Sequence, residues 1–303
     1  MRTTFSRLLT EAAQADERIL LLTGDHGYAL FDEFRTHCAD RYINCGVAEQ
    51  NMVGVAAGLA KAGFRPLVYG LSAFVPMRVL EQIKMDICYE SLPVVLIGDG
   101  AGLVYGTLGA SHQCAEDVAA LRAVPRMEIH SPADRFELKY CFQSMLARGR
   151  PSYLRFGKAD CGDIHAKAPE VALGDLVPVR SGASDVGIAA TGAMVSRAVK
   201  IADDLGGIPV WSVPCLEPFN RAQLLAACRP LRQIFTIEEH SVAGGLGSLV
   251  AETLAESGEG CRVTRLGIRH RFSEVCGSYN FLLSYHGLGM DDLRSAVGSA
   301  LQR

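Results

Sequence analysis

Strand-like and helix-like patterns alternate twice along the 303-residue sequence. This predicts an α/β fold: two domains with parallel or mostly parallel sheets flanked by helices. Three observations carry the prediction. Short apolar runs such as ILLLTGD (Ile19–Asp25), LPVVLIG (Leu92–Gly98) and DVGIAATG (Asp185–Gly192) are too brief for helices and do not alternate, so they read as buried parallel strands. Stretches with apolar residues three and four apart lie between them. An aperiodic segment with Gly162, Pro169 and Gly174 separates the two series. The expected division is 1–160, a linker at 161–182, and 183–303, a length that suits two domains of about 150 residues each.

The elements follow in order. Phe5, Leu8, Leu9, Ala12 and Ala13 fall at helical spacing, with Thr3 or Thr4 as N-cap. Ile19–Asp25 is the first strand and Arg41–Asn44 a weaker one. The stretch CGVAEQNMVGVAAGLAKAGF (Cys45–Phe64) reads as a helix of small apolar residues. Glu49 and Gln50 stand in its first turn, where the macrodipole favours a carboxylate. Gly54 and Gly58 share one face, and each costs ~1 kcal/mol relative to Ala in a helix interior; a second backbone approaching closely would explain both. Then come strand RPLVYG, a helix through Arg78–Tyr89, strand LPVVLIG, a Gly-rich loop, a helix near Ala115–Arg122, strand MEIHSP, helix Phe136–Ala147 and strand PSYLRF. The second series is DVGIAATG, helix Met194–Leu205, strand PVWSVP, helix Ala222–Cys228, strand QIFTIEEH, a GGLG loop and helix Ser248–Glu256.

Composition narrows the function. The chain is 49% hydrophobic and 21% charged, with net charge -3 and scattered Lys and Arg, which excludes the basic footprint of a nucleic-acid binder. Ten cysteines form no CxxC pair, so neither a disulfide nor a zinc framework is expected, and a reducing, cytoplasmic compartment is. Glu11, Asp16 and Glu17 rule out a signal peptide at the N-terminus, and no uncharged apolar run approaches the ~18 residues of a membrane span. Neither Gly-rich loop is a dinucleotide fingerprint: Val250 stands where the last Gly of GxGxxG would be in one, and Tyr105 breaks the other.

Three separated segments, in order, resemble one family. GVAEQNMVGVAAGLAKAGFRPLVY, SAFVPMRVLEQIKMDICY and GAGLVYGTLGASHQCAEDVAALRAVPRMEIHSPAD are similar to the pyrimidine-binding domain of transketolases and of 1-deoxyxylulose-5-phosphate synthase. DVGIAATGAMVSRAV and TIEEHSVAGGLGSLVAE resemble the transketolase C-terminal domain. No segment here resembles the family's diphosphate- and magnesium-binding domain, which is expected on a separate chain. The GDG at Gly98–Gly100 has no Asn to complete a metal motif, since none occurs between Asn51 and Asn220. The resemblance therefore implies the C-terminal section of a split, thiamine diphosphate-dependent transketolase. It would move a two-carbon ketol unit from a ketose, phosphorylated or not, to an aldehyde. A separate N-terminal subunit would hold the diphosphate and Mg2+ in an α2β2 assembly, with no nucleic-acid or membrane partner.

The same resemblance assigns roles. Glu49 matches the acid that hydrogen-bonds the aminopyrimidine ring; a carboxyl in an apolar cleft has a raised pKa and can share its proton with that ring. Phe74 matches an aromatic packed on the ring, although a Tyr frequent three residues earlier is Leu71 here. His112 matches a His that meets the donor near its carbonyl and hydroxyl. Leu108 stands where transketolases commonly carry a hydroxyl-reading Asp, which points to altered stereochemical preference. Lys158 replaces a phosphate-binding Arg, keeping the charge without the bidentate fork. Glu238, Glu239 and His240 cannot all converge from one strand and read as structural, at a subunit contact. The alternatives are the beta subunit of a 2-oxo acid dehydrogenase and a non-catalytic assembly subunit of the same fold.

Overall fold

A computed structural model of the chain describes residues 1–157, 161–258 and 260–302. The first half begins with α1 (Arg2–Ala15), β1 (Ile19–Thr23), α2 (Asp32–His37), β2 (Tyr42–Asn44), α3 (Glu49–Lys61) and β3 (Arg65–Leu71). It continues through α4 (Leu80–Gln82), β4 (Val95–Asp99), α5 (Asp117–Arg122), β5 (Glu128–His130), α6 (Arg135–Arg148) and β6 (Ser152–Phe156). The second half contains β7 (Val177–Arg180), β8 (Val186–Ala190), α7 (Met194–Leu205), β9 (Val210–Ser212), β10 (Cys215–Glu217), α8 (Arg221–Cys228) and β11 (Gln233–Ser241). It closes with α9 (Leu246–Ser257), β12 (Arg262–Ile268), α10 (Tyr279–Tyr285) and α11 (Met290–Leu301).

Two sheets result, one of seven strands ordered β10-β5-β6-β4-β3-β1-β2 and one of five ordered β12-β11-β8-β9-β7. All pairings are parallel except β10 with β5 and β7 with β9. Strands β1, β4, β5, β6 and β8 are buried along their whole length, as parallel strands covered on both faces should be. One face of the large sheet packs against Phe5, Phe31, Phe34 and Phe142. Edge-to-face pairs such as Phe5 with Phe142, 5.8 Å between centroids, add ~0.5–1.5 kcal/mol each to the burial. The opposite face shares a continuous core with α8 and α9 of the second half, through Leu216, Leu224, Leu246, Leu249 and Val250. A third core lies between the small sheet and α7, α10 and α11.

Several expectations are corrected. The stretch from Cys45 becomes helical only at Glu49, because Gly46 takes a left-handed conformation (φ +66°) before it. The predicted helix through Arg78–Tyr89 is a short turn at Met77–Val79, then α4, then a π-helical turn at Ile83–Cys88. α1 starts at Arg2 without a side-chain cap, its first N–H bond running from Phe5 to the carbonyl of Met1. The predicted linker at 161–182 contains β7, a four-residue edge strand whose Pro178 is tolerated because only one side of it is paired. The two halves are not separate in space: β10 from the second half is the antiparallel edge strand of the first sheet.

Candidate functional site

Glu49 is the first residue of α3, and its side chain is 3% exposed. The chain reaches it through the turn after β2, so that the carboxyl sits near the C-terminal end of β1, where an added Cβ on Gly24 would lie 3.9 Å from Glu49 Cγ. The carboxyl is buried as expected, but its surroundings are not simply apolar. Arg78 Nη1 donates to Glu49 Oε2 at 2.7 Å. The same guanidinium lies 4.2 Å above the centroid of Phe74. Phe74 meets the His112 imidazole edge-on, with 5.5 Å between centroids. Glu49, Phe74 and His112 are thus brought to one place, although they come from three separate segments.

Arg78 joins them without having been marked by sequence. A signal existed: Arg78 N donates to Phe74 O, the i,i+4 relation that stacks the two side chains, and both stand in the segment SAFVPMR. Ser111 Oγ holds His112 Nδ1 at 3.0 Å. Leu108 is 53% exposed, at the end of a single 3-10 turn (Gly106–Leu108), and presents an apolar side chain beside the loop that carries His112. Lys158 lies outside the described residues. Beside His112 a cavity of about 340 Å³ opens between the two halves, lined by Met77, Ser111, Gln113, Arg271, Ser273 and His286 among others.

Asp99 lies in the Gly98–Gly100 turn, at the end of β4. Asp99 accepts from Tyr69 Oη at 2.7 Å and pairs with Arg2 at 3.2 Å, so its carboxylate serves a buried polar cluster. Burial, then Asp99, push the neighbouring Tyr105 hydroxyl up to about 12. Among the described residues no group of three His, Cys, Asp or Glu side chains could hold a metal ion.

The Glu238-Glu239-His240 run divides between two faces, as strand geometry requires. Glu238 accepts the N–H groups of Leu246 and Gly247, at 2.7 and 2.8 Å, and so anchors the N-terminus of α9. Glu239, on the other face, accepts from Leu103 N and from Tyr279 Oη, both at 2.6 Å. His240 accepts from Ala119 N through Nε2, and its Nδ1 bonds the Ser241 carbonyl. Beside it Asp117, fully buried, pairs with Arg155 at 2.8 Å and accepts from Tyr153 Oη at 2.7 Å. Burial would raise Asp117, but Arg155 and then His240 outweigh it and hold the carboxyl below its ordinary value. This cluster joins the two halves inside one chain.

Known proteins share this architecture. Residues 1–162 match the pyrimidine-binding domain of transketolase, and residues 174–292 match the transketolase C-terminal domain. The chain belongs to the transketolase family. It is 35% identical to a subunit of 6-deoxy-6-sulfo-D-fructose transketolase from Clostridium sp. (strain MSTE9), covering 100% of this chain and 95% of that one. It is 32% identical to a subunit of apulose-4-phosphate transketolase from Phocaeicola vulgatus, over 96% of this chain and 94% of the relative. Among solved structures, a split-gene transketolase described as an inactive β4 tetramer superposes with a TM-score of 0.90 at 32% identity, over 99% and 98% of the two chains. The transketolase subunits match this chain nearly end to end, so it stands as the C-terminal section of a split transketolase rather than as a dehydrogenase subunit.

Proposed function

We propose that this chain is the catalytic C-terminal subunit of a two-subunit, thiamine diphosphate-dependent transketolase. The observation that carries the reading is the convergence of a buried Glu49 carboxyl, the Phe74 ring and the His112 imidazole around one seat. That seat fits an aminopyrimidine: it already accepts a flat, nitrogen-rich group, the Arg78 guanidinium, stacked on Phe74 and hydrogen-bonded to Glu49. When bound, thiamine diphosphate supplies the carbon nucleophile that carries the two-carbon unit. Glu49 would hold the ring through a hydrogen bond at its carboxyl, where the shared proton would favour one ring tautomer, and Phe74 would offer the face against which the ring packs. His112, oriented through Nδ1 by Ser111, turns Nε2 toward the donor, where an imidazole can hydrogen-bond a developing oxyanion and move a proton near neutral pH.

The substrate we infer is a ketose with an anionic end, handing its two-carbon unit to an aldehyde. The names of two relatives, a sulfonated and a phosphorylated sugar, support this, as does the Arg271-lined cavity next to His112. Lys158 is our candidate for a phosphate contact, and Leu108 for relaxed hydroxyl discrimination. Magnesium and the diphosphate belong, in this reading, to a separate N-terminal subunit in an α2β2 assembly. The outer face of α3 supports such a contact: Gly54 and Gly58 have nothing within 4 Å of an added Cβ, so the close approach they suggest is not made within this chain. Ten free thiols suit a cytoplasmic enzyme. The deciding experiment is Glu49→Ala in the reconstituted two-subunit complex. Turnover should fall by roughly 10²–10⁴ with assembly intact; near-normal turnover removes Glu49 from the mechanism.

A further inference from the structure

The Glu49–Arg78 pair raises a difficulty for an aminopyrimidine at this seat. Such a ring needs the Phe74 face and a free Glu49 oxygen, and one guanidinium engages both, 4.2 Å above the ring and 2.7 Å from Oε2. The resemblance between occupant and ligand is chemical. A guanidinium and a 4-aminopyrimidine that shares a proton at a ring nitrogen both present a planar N–C–N unit with N–H donors in the plane and a π-face above it. Arg78 thus satisfies the same two contacts that the ring would make.

We propose that Arg78 is a built-in occupant of the pyrimidine seat, closing it in the free chain and leaving when the cofactor enters. The idea rests on the pyrimidine-seat reading of Glu49 and Phe74. Three properties suit a removable plug rather than a fixed support. The Arg78 side chain is 43% exposed, so the charge can return to water without crossing the core. Its stem is long and unbranched, and among the described residues the guanidinium is held by Glu49 and by the Phe74 face. Glu49, by contrast, is 3% exposed and cannot follow it out. A buried carboxylate left without a donor is costly. The plug therefore protects the unassembled chain, and its departure is favourable only when another donor takes its place.

The arrangement has a thermodynamic signature. A ligand that can enter only when the seat is open binds with an apparent Kd raised by the inverse of the open fraction. If Arg78 keeps the seat closed nine times in ten, removing it tightens binding about tenfold. A fixed Arg78 that merely orients Glu49 predicts the reverse, because its loss would disorder the acceptor.

The probe is 4-amino-5-hydroxymethyl-2-methylpyrimidine, titrated into the full isolated chain by calorimetry, with no catalysis involved. Arg78→Gln and Arg78→Met, the second preserving the apolar stem, should each bind it about tenfold more tightly than the parent chain. Thiamine diphosphate should show a smaller gain in the two-subunit complex, where assembly helps to displace the arginine. Equal or weaker probe binding by both variants overturns the plug while leaving the seat. Absence of probe binding by parent and both variants overturns the seat reading itself, and the plug with it. Glu49→Gln serves as the reference for a seat deprived of its acceptor charge, and it should not gain affinity on adding Arg78→Gln.

Discussion

At the scale of single residues, the chain separates acids that hold structure from the acid assigned to chemistry. Asp117 is the clearest structural case: fully buried, paired with Arg155 and bonded to Tyr153. Asp117→Ala should cost about 3–5 kcal/mol in urea unfolding, because it strands a buried guanidinium. The double replacement Asp117→Leu with Arg155→Met should cost clearly less than the single one, since no charge is left unpaired. Sequence marked the acid proposed for chemistry and hid the structural one. Glu49 lies in a compact motif, whereas Asp117, Arg155 and His240 are brought together only by folding, from α5, β6 and β11. Arg78 was hidden for a different reason: its four-residue spacing from Phe74 is local to SAFVPMR, but the buried carboxylate it meets comes from another segment.

At the scale of elements, caps and edges decide how well boundaries can be read. α6 is legible nearly end to end: Asp134 caps its first turn, and Glu137 reaches back to accept from Ala133 N. The structure adds a second use for the cap. Asp134 Oδ1 accepts from Phe136 N and Glu137 N, and Oδ2 accepts from Ile164 N and His165 N. The residue that starts α6 therefore also fastens the segment leaving β6. Asp134→Ala should lose about 2–3 kcal/mol, more than an ordinary cap, and should increase proteolysis near Ile164. α7 is legible throughout, since the apolar residues of one face fill the third core. β7 and β10 escape because edge strands of three or four residues carry too short a pattern to detect. β12 escapes because its outward residues Arg262 and Arg265 interrupt the apolar run.

At the scale of the whole molecule, the contact between the halves should titrate. Burial pushes His240 down to about 4, while Glu238, also through burial, is pushed up to about 7. The signs oppose. For His240 the unfolded chain binds the extra proton between about 4 and its ordinary value near 6.5, so stability rises with pH across that window. For Glu238 the folded chain holds the extra proton between its ordinary value near 4.5 and about 7, so stability falls with pH there. The contributions of these two groups should therefore largely cancel between about pH 5 and 6.5. Urea midpoints of His240→Asn should fall with pH over that range, and those of Glu238→Gln should rise; two flat profiles would show that neither group changes charge on unfolding. The two-domain plan was legible in sequence, but its crossing at β10 was not, and that crossing bears on how the chain is made. During synthesis the N-terminal sheet has all its parallel strands once β6 has emerged, yet its β5 edge stays bare until Glu217 appears, about 60 residues later. At roughly 5–20 residues per second that is a wait of some seconds. The half that carries Glu49 thus becomes finished only after the half that does not has begun to leave the ribosome.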